Sequence, residues 1–435
     1  MMRPALSDTV FAVAAGGRHA ALTVMRLSGP RCAGILAAIG AGGLAPRAAS
    51  LRSLRDGSRR LLDRALVLWF PAPRSYTGED CAELHLHGGG AVLDGVVQAL
   101  SEFGARPAEA GEFTRRAFVN GRIDLLEAEA VGDLVAAETD AQRDQALSQM
   151  RGAVGGIYLG WQRRLAQAMA TLEAEIDFPD EFADGDRVDP VTAELRDLAR
   201  EFRQRLDQDT VAEKLRTGLS FAVIGAPNVG KSTLVNAMCD RDVSIVSSIP
   251  GTTRDVIEAR TTLGGVPVTF VDTAGLRHSG EEIEIEGMRR ARLRAGSADL
   301  VLLVTDTPDP PPAPPFATEA PTLQIRNKVD LAPGAAGCLN VSAVRGDGMD
   351  ALRAALTTEA LRHARSRTVP ALTRPRHRAA LADAMGHLCA AVECDGAEFV
   401  AEEVRLAMNC LARVSHGVET DEVLDLVFSQ FCIGK

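Results

Sequence analysis

The spacing of apolar positions changes character several times along this chain. Up to about residue 120, short apolar runs alternate with glycines, as in Ala65–Phe70 and Cys81–His87. Such runs predict strands, and Ala91 to Phe103 carries helical spacing, so this segment reads as a mixed α+β domain. From Asp124 to about Thr210 the chain is rich in Ala, Leu, Glu, Gln and Arg, with Leu125, Ala128, Val131, Leu134 and Val135 on one side of a helix. From about 217, short β runs return at Ser220–Ile224, Val268–Val271, Leu300–Val304, Leu323–Ile325 and Leu339–Val341, interleaved with helical stretches. That alternation predicts a mostly parallel sheet with crossover helices on both faces. After about 373 helical composition resumes and runs to Phe431. The simplest arrangement is multidomain, α/β plus α. An α+β domain spans 1–120, a discontinuous all-α domain spans 121–215 and 373–435, and an α/β domain at 216–372 is inserted into it. Thr307–Pro321 holds seven of the chain's 21 prolines, which predicts a polyproline-like loop where a crossover helix would otherwise sit.

Composition narrows the class. At 435 residues, with 46% hydrophobic and 24% charged residues, the chain has material for several cores. It contains no run of about 18 apolar residues, so no membrane span is expected. Met1-Met2-Arg3-Pro4 lacks the apolar core of a signal peptide. The eight cysteines show no Cys-x-x-Cys spacing, which disfavours a zinc site and suits a reduced, cytoplasmic setting. A formal charge of −10 disfavours broad wrapping of nucleic acid, so an RNA substrate would need a local patch or a basic partner.

The inserted domain carries the clearest chemistry. Gly225-Ala-Pro-Asn228-Val229-Gly230-Lys231-Ser232, followed by Thr233, fits G-x-x-x-x-G-K-[ST] between a strand and a helix. Its glycines let backbone amides wrap phosphates; Lys231 would reach the β- and γ-phosphates and Ser232 a magnesium ion. Asp272-Thr273-Ala274-Gly275 follows the Val268–Val271 strand, where the aspartate would hold magnesium through water and the glycine would sense the γ-phosphate. Asn327-Lys328-Val329-Asp330 follows the Leu323 strand, and the Asp330 carboxylate can accept from both N–H groups of guanine. Ser342-Ala343 ends the next run, where a backbone amide can meet the guanine oxygen. Four such elements, in order and at strand ends, read as a GTP-hydrolysing P-loop domain. Between the first two lies Ser247-Ser248-Ile249-Pro250-Gly251-Thr252-Thr253-Arg254-Asp255, in which Thr253 is the natural switch threonine. Leu276 after Gly275 cannot orient a water, so that role falls to another group, and the acidic run Glu281, Glu282, Glu284 and Glu286 lies nearby.

The Gly-x-Pro-Asn-x-Gly-Lys-Ser loop, Gly251-Thr252-Thr253-Arg254-Asp255 and the terminal Phe431-Cys432-Ile433-Gly434-Lys435 together resemble the MnmE (TrmE) family of tRNA-modification GTPases. Asp8-Thr9-Val10, Ser75 to Asp80, Glu83 to Gly89, and Arg106 to Asn120 with its Gly111-Glu112-Phe113 core look like that family's N-terminal domain. Asp177-Phe178-Pro179-Asp180 looks like its helical domain. The resemblance implies a Ras-like G domain and an N-terminal domain that binds a tetrahydrofolate derivative (5-formyl- or methylene-tetrahydrofolate) and mediates dimerisation. On that pattern Arg26, Glu83, Arg122 and Lys435 are the folate contacts, Arg122 standing where a lysine is expected. It implies a potassium ion beside the phosphates, held by Asn228 and by Ser247, Ile249 and Thr252, with Thr253 joining Ser232 on magnesium. It makes Glu284, twelve residues after Asp272, the catalytic glutamate alongside Lys231. It also implies a flavin-dependent partner of the MnmG/GidA type, tRNA as substrate, a homodimer with transient G-domain pairing, and addition of an aminomethyl-type group, carboxymethylaminomethyl included, at carbon 5 of the wobble uridine.

Other readings stand beside this one. A ribosome-assembly switch of the Era or Der type would carry an RNA-binding domain after the G domain, yet 373–435 holds no Gly-x-x-Gly loop and reads as acidic helices. A purely regulatory GTPase would leave Glu83, Arg122 and Lys435 with nothing to bind. His85 and His87 share one strand face but lack a third ligand at metal-binding spacing. Cys432 reads equally as a small apolar group or as a residue with a role in the modification.

Overall fold

The structure is a computed structural model of the chain. It describes residues 8–178, 188–239, 258–272, 296, 298–307, 318–332, 334, 336–364, 374–415, 424, 427–429, 431 and 434. The chain forms two compact units, one from Met1–Val135, Ser148–Arg196 and Asp383–Lys435, the other from Ala136–Leu147 and Asp197–Ala382.

The first unit is built on strands β1 (Thr9–Ala15), β2 (Ala20–Ser28), β3 (Ser50–Arg55), β4 (Leu61–Phe70), β5 (Cys81–Gly88) and β6 (Ala105–Pro107). Their order is β3-β4-β5-β2-β1-β6, antiparallel except for the β1–β6 pair. Period-two alternation sorts β5: Ala82, Leu84 and Leu86 point into the core, while Glu83, His85 and His87 take the other face. The inner face packs on α1 (Cys32–Ala38) and α2 (Gly90–Glu102), so that Met25, Leu27 and Leu84 meet Ile35, Leu93 and Leu100. Helices α3 (Glu112–Val119) and α4 (Leu125–Ala136) follow, and further along the chain come α5 (Asp140–Met150), α6 (Ala153–Asp177) and α7 (Val188–Thr217), of which α6 belongs to this unit and α5 and α7 lie mostly in the second. Tyr158, Trp161, Leu165 and Leu172 form the buried face of α6.

The chain end returns to this unit. Phe428 and Phe431 pack with Leu125 and Ala128. Gly434, at φ 101°, lies so close to β1 that a Cβ there would stand 2.3 Å from the Val13 carbonyl oxygen. Only glycine fits that approach.

The second unit holds β7 (Leu219–Ile224), α8 (Lys231–Cys239), β8 (Glu258–Leu263), β9 (Val266–Asp272), β10 (Leu300–Thr305), β11 (Thr322–Arg326), β12 (Leu339–Asn340) and α9 (Met349–Ala364). Their order is β12-β11-β10-β7-β9-β8, parallel apart from β8. The apolar runs expected as strands all contain strands, the last reduced to Leu339–Asn340 with Val341 outside it. β8 is an addition to them, joined to β9 by a tight turn at Gly264-Gly265 with φ 60° and 83°. The Gly-Gly pair between alternating runs is the hairpin signal that marks it. The proline-rich stretch lies outside the described residues between 308 and 317. Two last helices follow, α10 (Pro375–Glu393) and α11 (Ala397–Ser415), whose Val400, Val404, Leu411 and Val414 are buried; α11 packs along α6. Among the described residues no helix is long and apolar enough to cross a membrane.

Candidate functional site

In the second unit β7 lies between β9 and β10, and its register aligns Val223 with Asp272 and Ile224 with Leu303. The loops after β7 and β11 therefore leave the same edge of the sheet, at the point where chain order reverses, where parallel sheets bind ligands. The loop 225–230 needs glycine at both ends. A Cβ at Gly225 would lie 2.2 Å from the Val304 carbonyl oxygen, and one at Gly230 (φ 90°) 2.4 Å from Asn327 Nδ2. Asn228 takes φ 62°, a conformation that asparagine tolerates better than most side chains.

Helix α8 opens directly after Gly230, with Lys231, Ser232 and Thr233 in its first turn. Lys231 is 5% exposed, and its Nζ donates to the carbonyls of Gly225 and Ala226 at 2.9 Å each. Ser232 and Thr233 are exposed on the same turn. The buried Asn327 side chain then ties the loops together: its Nδ2 donates to the Val229 carbonyl at 2.9 Å, and its Oδ1 accepts from the Ala343 N–H at 3.1 Å. Lys328 Nζ adds a second tie, to the Asn228 carbonyl at 2.6 Å and to Asp306 at 2.8 Å. Neither tie, nor Asp306, was visible in the motifs themselves. Ser342 Oγ donates to Asp330 Oδ1 at 2.7 Å, and this bond, aided by Arg345 and Lys328, holds the carboxyl below its usual pKa. Asp330 is thus an oriented, charged acceptor. Val229, Gly230, Lys231, Ser232, Asn327, Lys328, Asp330, Ser342 and Ala343 are consequently brought to one edge of the sheet. Asp272 ends β9 on that edge. Ser247 to Thr253, Thr273, Ala274, Gly275 and Glu284 lie outside the described residues, as do Cys432 and Lys435.

A second constellation lies in the first unit. Arg26 and Glu83 are cross-strand partners on β2 and β5, paired at 2.8 Å on the face opposite α1 and α2. The Arg26 guanidinium also stands over Tyr76 at 5.6 Å and Phe113 at 5.8 Å. Here a cavity of about 400 Å³ is lined by Arg26, Arg47, Phe70, Arg74, Ser75, Tyr76, Cys81, Glu83 and Arg122. Three residues expected from the sequence, Arg26, Glu83 and Arg122, share it; Arg47, Arg74 and Phe70 carry no sequence signal and are placed by the loops alone. His85 Nε2 lies 3.6 Å from Glu83, and His87 pairs with Asp63 at 2.8 Å.

The wall behind the cavity is held by ions. Arg116 is fully buried and meets Asp8 at 2.6 Å, Glu112 at 2.9 Å and Glu79 at 3.1 Å, while Arg106 meets Glu112 at 2.6 Å. The Ser75–Asp80 loop is pinned to it, with Tyr76 bonded to Thr114 at 2.9 Å and the Thr77 carbonyl to Asn120 at 2.7 Å. Burial pushes the Glu112 carboxyl upward, but the bonds from Arg106, the Glu109 N–H and Arg116 outweigh it and the net shift is down. Asp8 is lowered in the same way, burial opposed by Arg106 and Arg116. A depressed carboxylate contributes stability that is complete above its unfolded value of about 4 and is lost as pH falls through the folded value. This unit should therefore lose melting temperature below about pH 4. Glu112→Gln should cost about 1–3 kcal/mol at neutral pH, because Arg106 and Arg116 lose a charge-assisted partner while Arg116 keeps Asp8 and Glu79. Thermal melts from pH 7 to pH 3 read both effects, and an unchanged melt at neutral pH would deny the network any structural weight.

Residues 9–122 match the family description "GTP-binding protein TrmE N-terminus", and residues 125–432 match "MnmE helical domain". Among similar curated proteins is the tRNA modification GTPase MnmE of Gluconacetobacter diazotrophicus, 52% identical over 432 residues covering 98% of each chain. That of Granulibacter bethesdensis is 48% identical over 438 residues, covering 98% of this chain and 99% of the relative. That of Rhodospirillum rubrum is 48% identical over 455 residues with the same coverage. With both family descriptions and full-length relatives in agreement, this chain belongs to the MnmE family of tRNA modification GTPases and is a GTP hydrolase that acts in tRNA modification.

Proposed function

We propose that this chain couples GTP hydrolysis to addition of an aminomethyl-type group at carbon 5 of the tRNA wobble uridine, with a flavin-dependent partner of the MnmG type. The one-carbon unit comes from a tetrahydrofolate derivative held in the N-terminal cavity. The observation that carries this reading is the cavity itself: about 400 Å³, with the Arg26–Glu83 pair and aromatic Phe70 and Tyr76 in its lining. A carboxylate suits the amino and ring N–H groups of a pterin, and guanidinium groups suit glutamyl carboxylates. Lys435 would complete the contacts, and Gly434 against β1 brings the chain end to this unit.

On the second unit, Lys231 and the α8 amides bind the β- and γ-phosphates, and Asp330 with Ala343 reads guanine. Magnesium would be held by Ser232 and Thr253, with Asp272 through water, and potassium by Asn228 and the carbonyls of Ser247, Ile249 and Thr252. These oxygen donors suit hard cations, and glycine at 225 and 230, where a Cβ would strike the Val304 carbonyl oxygen and Asn327 Nδ2, lets the loop close tightly enough to present its backbone amides to a phosphate chain. The cations neutralise phosphate charge. Glu284 orients the attacking water, which no glutamine after Gly275 is present to do. Half-exposed Leu51 and Leu66, paired across β3 and β4, favour a homodimer through the N-terminal sheet, with the G domains pairing transiently.

One preparation of the full chain tests the two halves together. It should bind 5-formyl-tetrahydrofolate, lose that binding in Glu83→Ala, and in both forms hydrolyse GTP faster in potassium than in sodium at matched ionic strength. Equal rates in the two salts would remove the potassium site; undiminished folate binding by Glu83→Ala would remove the carboxylate from the cavity's chemistry.

A further inference from the structure

The cavity is cationic well beyond the needs of a pterin. Its lining sets four guanidinium groups, Arg26, Arg47, Arg74 and Arg122, against the single carboxylate of Glu83, in a chain whose formal charge is −10. Arg26 and Glu83 satisfy each other and are both only about a fifth exposed, at 22% and 23% of their side chains. The remaining three arginines are exposed. Among the described residues no carboxylate pairs with any of them.

The fold holds the Arg47 side chain in place and sets the backbone of Arg74. Arg47 takes φ 59°, its N–H donates to the Trp69 carbonyl at 2.8 Å, its guanidinium stands over Phe70 at 5.9 Å, and its Nη2 donates to the Arg74 carbonyl. Arg74 sits on a turn closed by its own N–H to the Pro71 carbonyl at 3.2 Å. Three like charges gathered at one cavity repel one another, a cost that an anionic ligand reverses. The cavity therefore has two chemical ends: a half-buried, internally neutral Arg26–Glu83 base and an exposed cationic rim.

We propose that the Arg47–Arg74–Arg122 rim reads a poly-γ-glutamyl tail, so that the chain selects polyglutamylated tetrahydrofolates over the monoglutamate. The inference rests on the folate reading above and goes beyond it to the form of the ligand. A monoglutamyl tail carries two carboxylates, and every γ-linked glutamate adds one. Two arginines suffice for the monoglutamate. The third has a partner only when the tail is longer, and guanidinium–carboxylate bonds are the stronger, charge-assisted kind. Because the rim is exposed, the selectivity is electrostatic and weakens with salt.

The test is equilibrium dialysis of the full chain against 5-formyl-tetrahydrofolate carrying one or three glutamates, at low and at moderate salt. The triglutamate should bind about tenfold more tightly at low salt, the ratio shrinking as salt rises. In the double variant Arg47→Gln with Arg74→Gln the ratio should fall to about two or less, and Arg47→Lys with Arg74→Lys should restore part of it. Thermal melts check that the variants fold; were the glutamine pair unfolded, the salt dependence of the ratio in the unaltered chain decides. Equal affinity for the two forms, both binding, overturns the rim assignment and leaves the folate reading standing. A preference that persists in the folded glutamine variant also overturns it. Binding of neither form overturns the folate reading and this inference with it.

Discussion

Lys231→Ala is expected to lower GTP turnover by about 10²–10³-fold, with nucleotide affinity falling alongside. Lys231 is the only charged residue from Gly225 to Ser232. Its ammonium is nearly enclosed, donating to two carbonyls of its own loop, so the charge is prepositioned where a phosphate chain would lie. Alanine leaves the backbone amides and the α8 terminus as the loop's remaining positive potential. Charge developing on the γ-phosphoryl oxygens then loses the one cation that the loop itself supplies, which is why the loss should reach turnover as well as binding. Steady-state hydrolysis at saturating GTP, together with titration of a fluorescent guanine nucleotide, separates the two. Unchanged values for both would take Lys231 out of the phosphate site.

Asp330→Asn should produce the largest change in specificity. A site built to hydrogen-bond particular N–H groups discriminates against analogues lacking them by about 10⁴–10⁵. The Asp330 carboxylate is oriented by Ser342 and kept charged, so it can accept from both guanine N–H groups. An asparagine presents one acceptor and one donor, which leaves the 2-amino group facing another N–H. Xanthine carries a carbonyl at that position and suits the asparagine. Competition binding should show GTP losing to XTP in the variant, while the unaltered chain shows the reverse. A variant that still prefers GTP over both XTP and ATP would mean that the base is read elsewhere.

Both predictions concern motifs that a reader of the sequence finds without coordinates. The P-loop, the Asp272 segment and Asn327-Lys328-Val329-Asp330 each span a few consecutive residues, and a strand-end loop of that length has its geometry set by the chain itself. The strands were legible for a related reason: β7 and β10 are buried on both faces and so appear as unbroken apolar runs. β8 escaped because its Thr-rich alternation is weak and its signal resides in a Gly-Gly turn. Asn327 shows the limit of local reading. The motif marks it, but only the packing of three loops reveals that its amide joins Val229 to Ala343.

The N-terminal unit divides differently. Resemblance singled out Arg26, Glu83 and Arg122, and also the segments that contain Asp8, Glu79, Arg106, Glu112 and Arg116. It could not say that these last five form one ion network, in which Arg116 and Asp8 stand 108 residues apart in sequence. Nor does any period or motif mark Arg47 and Arg74 as neighbours. The sequence by itself determined the order of domains' compositions, the strands with buried faces and the nucleotide-loop chemistry, since these depend on residues close together in the chain. Only the tertiary structure decided that Arg26 faces Glu83, that three arginines rim one cavity, and that the chain end packs on β1. Those relations depend on sheet register and loop closure, which sum many weak contacts between distant segments and leave no local pattern to read.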